Sequence, residues 1–265
     1  PIVTTFSFMF TGSRAESQSG WTAFGIITAL LGILTAWTVA FGTKENESVL
    51  RSRADQSGNP LQAFAAIVKN DQLLWVALSY LLYAVANVAT NGVMFYLFKF
   101  VLNLPDAFTN TGVIPVIAGL VMAPLYPALN RRIPRRYLFC GGMVLMAIGY
   151  VLFILDSASL PVVIVALILF YLPGTFIQMT AILSLTDSIE YGQLKTGKRN
   201  EAVTLSVRPM LDKIAGALSN GIVGFVAVAA GMVGSATAAD MTAANVRTFE
   251  TFAFYIPLAF IVLSL

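Results

Sequence analysis

Long uncharged apolar stretches alternate with short polar segments along this chain. A helix needs about 20 apolar residues to cross a hydrocarbon core roughly 30 Å thick, and the stretches meet that length. The first clear span runs from Trp21 to Gly42 and contains Ile26, Ile27, Leu30, Leu31, Ile33 and Leu34. Further spans are predicted over Gln72 to Leu102, Phe108 to Leu129, Tyr137 to Leu155, Pro161 to Thr186, Ala202 to Met232 and Val246 to Leu265. Pro1 to Thr11 reads as the apolar tail of another helix, so the sequence is expected to be an internal piece of a longer chain. Thr43 to Pro60 (TKENESVLRSRADQSGNP) is the longest polar stretch and reads as a linker. After it, Leu61, Phe64, Ile67 and Val68 recur at helical spacing, which predicts a short amphipathic surface helix over Leu61 to Asn70.

Composition strengthens this picture. Hydrophobic residues make up 57% of the 265 positions and charged residues 11%, against about 25% charged in average soluble domains. Lys and Arg fall in every second loop: Arg51 and Arg53 in the linker, Arg131, Arg132, Arg135 and Arg136 in the RRIPRR turn, and Lys195, Lys198 and Arg199 in a third loop. Short cytoplasmic loops hold an excess of Lys and Arg, so these loops face the cytoplasm and the others face outward. The fold class is therefore all-α, a polytopic helical bundle in the cell membrane. Six spans after a long cytoplasmic linker match the two-halves plan of major-facilitator transporters. The expected organisation is the end of a first half (residues 1–42), a central linker with its amphipathic helix (43–71) and a second six-helix half (72–265).

The same inventory narrows the chemistry. The net charge of +3 forms no single basic stripe, so no nucleic-acid partner is expected; the lipid bilayer is the evident partner. A single cysteine, Cys140, excludes an internal disulfide framework, and the absence of His removes the commonest metal ligand and general base. No cofactor and no metal are expected, and an intramembrane enzyme lacks a nucleophile-and-base constellation.

An ionisable group inside a membrane span is penalised by roughly 2.5 to 3.5 kcal/mol, so such groups usually face a bundle interior or an aqueous cavity. The span from Ala202 carries Arg208, Pro209, Asp212 and Lys213. Arg208 and Asp212 stack at i,i+4 and can neutralise one another. Lys213 points elsewhere, along a stripe of Gly216, Ala217, Asn220 and Gly224, and needs a carboxylate from another helix. The bland alternative is that Arg208 to Lys213 snorkels to the headgroups. Gln178 and Thr180 follow Pro173 and Gly174, a break that can open backbone groups toward a cavity. Asn87, Thr90 and Asn91 read as an interhelical hydrogen-bond patch or as sugar contacts, and Tyr80 and Tyr83 as a packing pair. Trp21 and Trp75 mark interfacial depth. The RRIPRR turn has a topological explanation, with a specific lipid or regulatory site as the alternative. Asp187, Glu190, Lys195, Lys198, Arg199 and Glu201 place both charge signs in one loop, read as a solvated cluster or as a gate.

The stretch DSIEYGQLKTGKRNEAVTLSVRPMLDK, Asp187 to Lys213, resembles the signature of the glycoside-pentoside-hexuronide:cation symporters. With RPMLDK, NDQLLWVALSYLLY at Asn70 to Tyr83 and SRAESQSGW at Ser13 to Trp21, the likeness is greatest to the lactose/galactoside and raffinose permeases and covers essentially the whole chain. The resemblance implies a twelve-helix major-facilitator fold that moves a galactoside with H+ or Na+, or exchanges galactosides, by alternating access. It assigns Lys213 to the cation and sugar site, with Arg208, Asp212 and Gln178 toward the same cavity. Asp187, Glu190, Tyr191, Lys195, Lys198, Arg199 and Glu201 become a coupling loop. Those permeases often have His where this chain has Lys198, so a proton relay through that position cannot operate here. Some relatives append a phosphotransferase-like regulatory domain, which would bring phosphotransferase-system proteins as partners. Pentosides or glucuronides are the alternative substrates, and a non-transporting sugar receptor is the alternative of a different class.

Overall fold

The computed structural model describes residues 2–12, 17–43, 68–197, 201–234 and 236–265. The predicted linker at 44–60, with Arg51 and Arg53, and most of the predicted amphipathic helix, 61–67, lie outside the described residues, as do Lys198 and Arg199. The chain forms two compact units, Pro1–Gly58 and Asn59–Leu265.

In the first unit, α1 (Ile2–Thr11) packs against α2 (Gln18–Gly42). Ser17 caps α2 by accepting from Gly20 N at 3.1 Å, and its own backbone N donates to the Ser7 hydroxyl at 3.0 Å. The helices approach so closely here that a Cβ on Gly20 would fall 2.1 Å from Ser7 Oγ, so the position has room only for glycine. The rest of α2 presents Leu30, Leu31, Leu34, Trp37 and Phe41 as an exposed apolar surface, as a lipid-facing helix does.

The second unit contains α3 (Asp71–Tyr96), which runs into a π-helical turn over Leu97–Val101, then a 3-10 turn (Pro105–Thr109), α4 (Asn110–Asn130), α5 (Arg135–Leu155), α6 (Leu160–Thr196), α7 (Glu201–Ala229), α8 (Ala243–Glu250), a second π turn (Thr251–Tyr255) and α9 (Ile256–Leu263). Among the described residues of the chain, seven helical stretches are long and apolar enough to cross a membrane. They coincide in order with the seven predicted spans.

One boundary is corrected. The predicted span Pro161 to Thr186 continues for ten more residues, because the next helix-stopping residue is Gly197, which closes α6 in the left-handed region at φ +71°. At 1.5 Å per residue, the 37 residues of α6 extend about 55 Å, well beyond a hydrocarbon core. Its charged end stays helical to Thr196. The expected break at Pro173 and Gly174 does not occur either; α6 passes through both. A proline costs its own N–H bond, and packing on neighbouring helices holds the course.

Membrane helices gain little from burying apolar groups against each other, so close packing decides their pairing. Glycines set the two main contacts. On α5, a Cβ at Gly149 would lie 3.1 Å from Ala166 O and 3.2 Å from Phe170 N of α6, and one at Gly142 would lie 2.9 Å from Ile177 Cγ1. On α3, a Cβ at Gly92 would lie 2.4 Å from Val223 Cγ2 of α7. Around these contacts Tyr83, Phe98, Tyr150, Phe153, Phe170, Phe249 and Phe254 are fully buried. Phe153 stacks on Phe254 at 4.8 Å, and Tyr150 meets Phe170 edge-on at 5.6 Å. The inter-helix polar patch expected at Thr90 is present: its hydroxyl bonds Tyr150 Oη at 2.8 Å and donates to Ala253 O, in the second π turn, at 3.3 Å.

Candidate functional site

Tyr80, Tyr83, Asn87 and Asn91 recur on α3 at steps of three, four and four residues, which places them on one stripe of the helix. On α6, Tyr171, Gly174, Thr175 and Gln178 form a matching stripe at the same helical spacing. Between the stripes lies a cavity of about 440 Å³, lined by Tyr83, Asn87, Tyr171, Thr175 and Gln178 and closed on one side by Pro115 of α4. Its wall combines aromatic faces with amides and hydroxyls, the combination that suits a small polar ligand with apolar faces.

The polar groups are organised rather than scattered. Tyr171 donates to Asn91 Oδ1 at 2.6 Å, and Asn91 Nδ2 donates to Asn87 O at 2.8 Å and to Asn87 Oδ1 at 3.2 Å. The Tyr83 hydroxyl is buried and has no well-formed hydrogen bond among the described residues, with Gln178 beside it. A buried unpaired hydroxyl on a cavity wall is a ready donor or acceptor for whatever enters. Tyr80, one turn earlier, packs on Tyr83 with ring centroids 5.8 Å apart and donates to Asp212 Oδ1 at 2.7 Å. Asp212 in turn lies 3.9 Å from Arg208 Nε, whose guanidinium sits 5.9 Å from the Tyr80 ring. A polar track thus runs from the α7 charges through two tyrosines into the cavity.

Of the expected site residues, Gln178 lines the cavity, and Arg208 and Asp212 form the expected i,i+4 pair, with Tyr80 as an added partner. Lys213 lies on the exposed side of α7 and makes no hydrogen bond or ion pair among the described residues. Its small-residue stripe is open as well: a Cβ at Gly216 or Gly224 would meet nothing within 4 Å. Thr180 turns away from Gln178 and bonds Tyr126 Oη at 3.2 Å. Tyr80 and Tyr83 pack as expected and also join the track; Tyr171 was not singled out from the sequence at all. The available signal was the recurrence of polar and aromatic residues every three or four positions in otherwise apolar helices.

The residues expected to form a coupling loop belong to a separate region, and most of them are not on a loop. Asp187, Glu190, Tyr191 and Lys195 stand on the extended end of α6, and Glu201 opens α7. Asp187 pairs with Arg135 at the start of α5, and Lys195 pairs with Asp71 at the start of α3 at 2.7 Å. Lys195 Nζ also lies 5.7 Å from the Tyr191 ring. Asn70 caps α3 through Leu73 N at 3.1 Å and donates to Ser188 O at 2.7 Å. A Cβ at Gly192 would collide with Asn70 Nδ2 at 2.7 Å, so glycine permits this approach. These contacts clasp α3, α5 and α6 together at one end. From Gln178 to Asp187 is nine residues, about 14 Å along the helix. Among the described residues no group of three or more Cys, Asp or Glu is placed to hold a metal ion.

The sequence profile described as MFS/sugar transport protein matches residues 2–265. Over 265 residues the chain is 50% identical to a lactose permease of Leuconostoc lactis and 49% identical to a lactose permease of Lactobacillus helveticus. It is 35% identical to the raffinose carrier protein of Pediococcus pentosaceus. Each match covers 100% of this chain and 41% of the relative, so the chain spans about two fifths of the length of these proteins.

Proposed function

The chain belongs to the MFS/sugar transport protein family, and from that premise we propose that it is part of a secondary transporter of galactosides working by alternating access. The observation that carries the reading is the cavity of about 440 Å³ with its aromatic and amide wall. Sugar hydroxyls pair with Asn87, Gln178 and the Tyr83 hydroxyl, while the apolar face of the ring lies against Tyr171 or Tyr83. Names of the similar proteins, lactose permease and raffinose carrier, favour a galactoside over a pentoside or glucuronide. The protein acts as a carrier and not as an enzyme.

Coupling to H+ or Na+ belongs to the same proposal. Arg208 and Asp212 are paired to each other, whereas Lys213 is the cation of this helix with no partner among the described residues. A carboxylate from the other half of the transporter completes the site in one conformation, and the coupling ion competes with Lys213 for it. Cation and sugar then favour the same state, which is what coupled transport requires. In this arrangement residues 72–265 form the second half of the transporter, the end bearing Arg135 and Lys195 faces the cytoplasm, and its clasp opens and closes with each cycle.

The test is uptake of labelled lactose by vesicles of the full-length protein under a proton gradient and then a sodium gradient. Accumulation under either identifies the ion. Lys213→Ala is expected to abolish accumulation, with Lys213→Arg as a check on folding; unchanged accumulation and ion dependence in Lys213→Ala would remove Lys213 from the mechanism.

A further inference from the structure

A second cavity, of about 490 Å³, opens where the starts of α3 and α5 meet α6 and the end of α9. It shares no lining residue with the first, because α6 separates them: Thr180, Ala181 and Ser184 face this cavity, while Gln178, Met179 and Ile182 face the other. Its wall is apolar, with Trp75, Leu78, Leu82 and Phe139, and its charged lining residues are Arg135 and Arg136. Trp75 is 70% exposed and Leu78 is 49% exposed, so the slot is open on the side of α3.

The two arginines are only partly committed. Arg135 uses Nη1 for Asp187 and for Leu183 O at 3.4 Å. Arg136 uses Nη2 for Tyr137 Oη at 3.0 Å and stacks its guanidinium over that ring at 4.7 Å. Their other N–H groups have no protein acceptor among the described residues, and no Asp or Glu side chain is among the described residues that line the cavity. Free guanidinium donors above an apolar slot at the membrane edge complement a ligand with a negative headgroup and a hydrocarbon tail. We propose that this cavity binds an anionic phospholipid, with the phosphate on Arg135 and Arg136 and an acyl chain against Trp75, Leu78 and Phe139. Because Arg135 also holds Asp187, an occupied site bears directly on the clasp between α5 and α6.

Cys140, the single cysteine of the sequence, lines the same cavity and reports on its occupancy. The experiment places the full-length protein in nanodiscs of phosphatidylcholine with rising phosphatidylglycerol and follows maleimide alkylation of the peptide containing Cys140 by mass. Phosphatidylglycerol is expected to slow the reaction saturably. Arg136→Gln, which leaves the Arg135 to Asp187 pair intact, is expected to raise the phosphatidylglycerol concentration needed by about five-fold, and Arg135→Gln with Arg136→Gln by roughly twenty-fold. Arg131→Gln with Arg132→Gln, in the same turn but off the cavity, is expected to leave it unchanged. Four results overturn the proposal: equal protection by phosphatidylcholine alone, equal loss in the Arg131 and Arg132 variant, protection by soluble glycerol phosphate, or a Cys140 that is unreactive in every membrane because protein fills the cavity.

Discussion

Tyr171 and Thr90 show how differently two hydroxyls behave in one apolar bundle. Tyr171 stands at the cavity and donates a hydrogen bond to Asn91 Oδ1, so its loss bears on the proposed sugar site. Tyr171→Phe is expected to weaken galactoside binding three- to ten-fold, the worth of one hydrogen bond of about 1 kcal/mol, with little change in thermal stability. Equilibrium binding with labelled sugar checks this, and unchanged affinity would place the sugar elsewhere. Thr90 is fully buried and ties α3 to Tyr150 of α5 and to the backbone of the second π turn. Thr90→Val keeps the shape and removes the buried hydroxyl that meets Tyr150 Oη and Ala253 O, so it is expected to cost about 1 to 3 kcal/mol of stability, while Thr90→Ser stays near wild type. Melting in detergent distinguishes them; equal melting temperatures would show that the contact contributes nothing.

At the scale of elements, glycine positions decide which helices pair. Gly92 lets α3 and α7 approach until a Cβ would stand 2.4 Å from Val223 Cγ2, and a β-branched side chain has little freedom to retreat. Gly92→Ala is therefore expected to destabilise the bundle by about 1 to 3 kcal/mol, and Val223→Ala in the same chain to recover most of it. Strictly additive losses in that cycle would exclude the contact. Element scale is also where sequence reading went furthest and then stopped. Hydropathy located all seven spans because each needs its own run of apolar residues. It ended the fifth at Thr186 because charges begin there, although a charged helix leaving the membrane is still a helix and α6 stops only at Gly197.

For the whole molecule, the two ion pairs of the clasp are largely exposed, with side-chain exposures of 35% and 62% for Arg135 and Asp187 and 45% and 52% for Lys195 and Asp71. Solvent screening leaves such exposed pairs little weight in folding, so in the proposed transport cycle their effect is expected on the balance between conformations. Asp71→Asn with Asp187→Asn is expected to leave the melting temperature nearly unchanged and to alter the rate of sugar counterflow. A large loss of stability with an unchanged rate would assign the clasp to folding alone. The sequence by itself determined the helical class, the number and order of the spans and the candidate charges on α7, since the bilayer demands long apolar runs and makes every interruption visible. Tertiary structure alone decided which polar residues meet. Tyr171 and Asn91 are 80 residues apart and Tyr80 and Asp212 are 132 apart; no local pattern sets that pairing, because it follows from how closely the glycine-bearing faces allow the helices to pack.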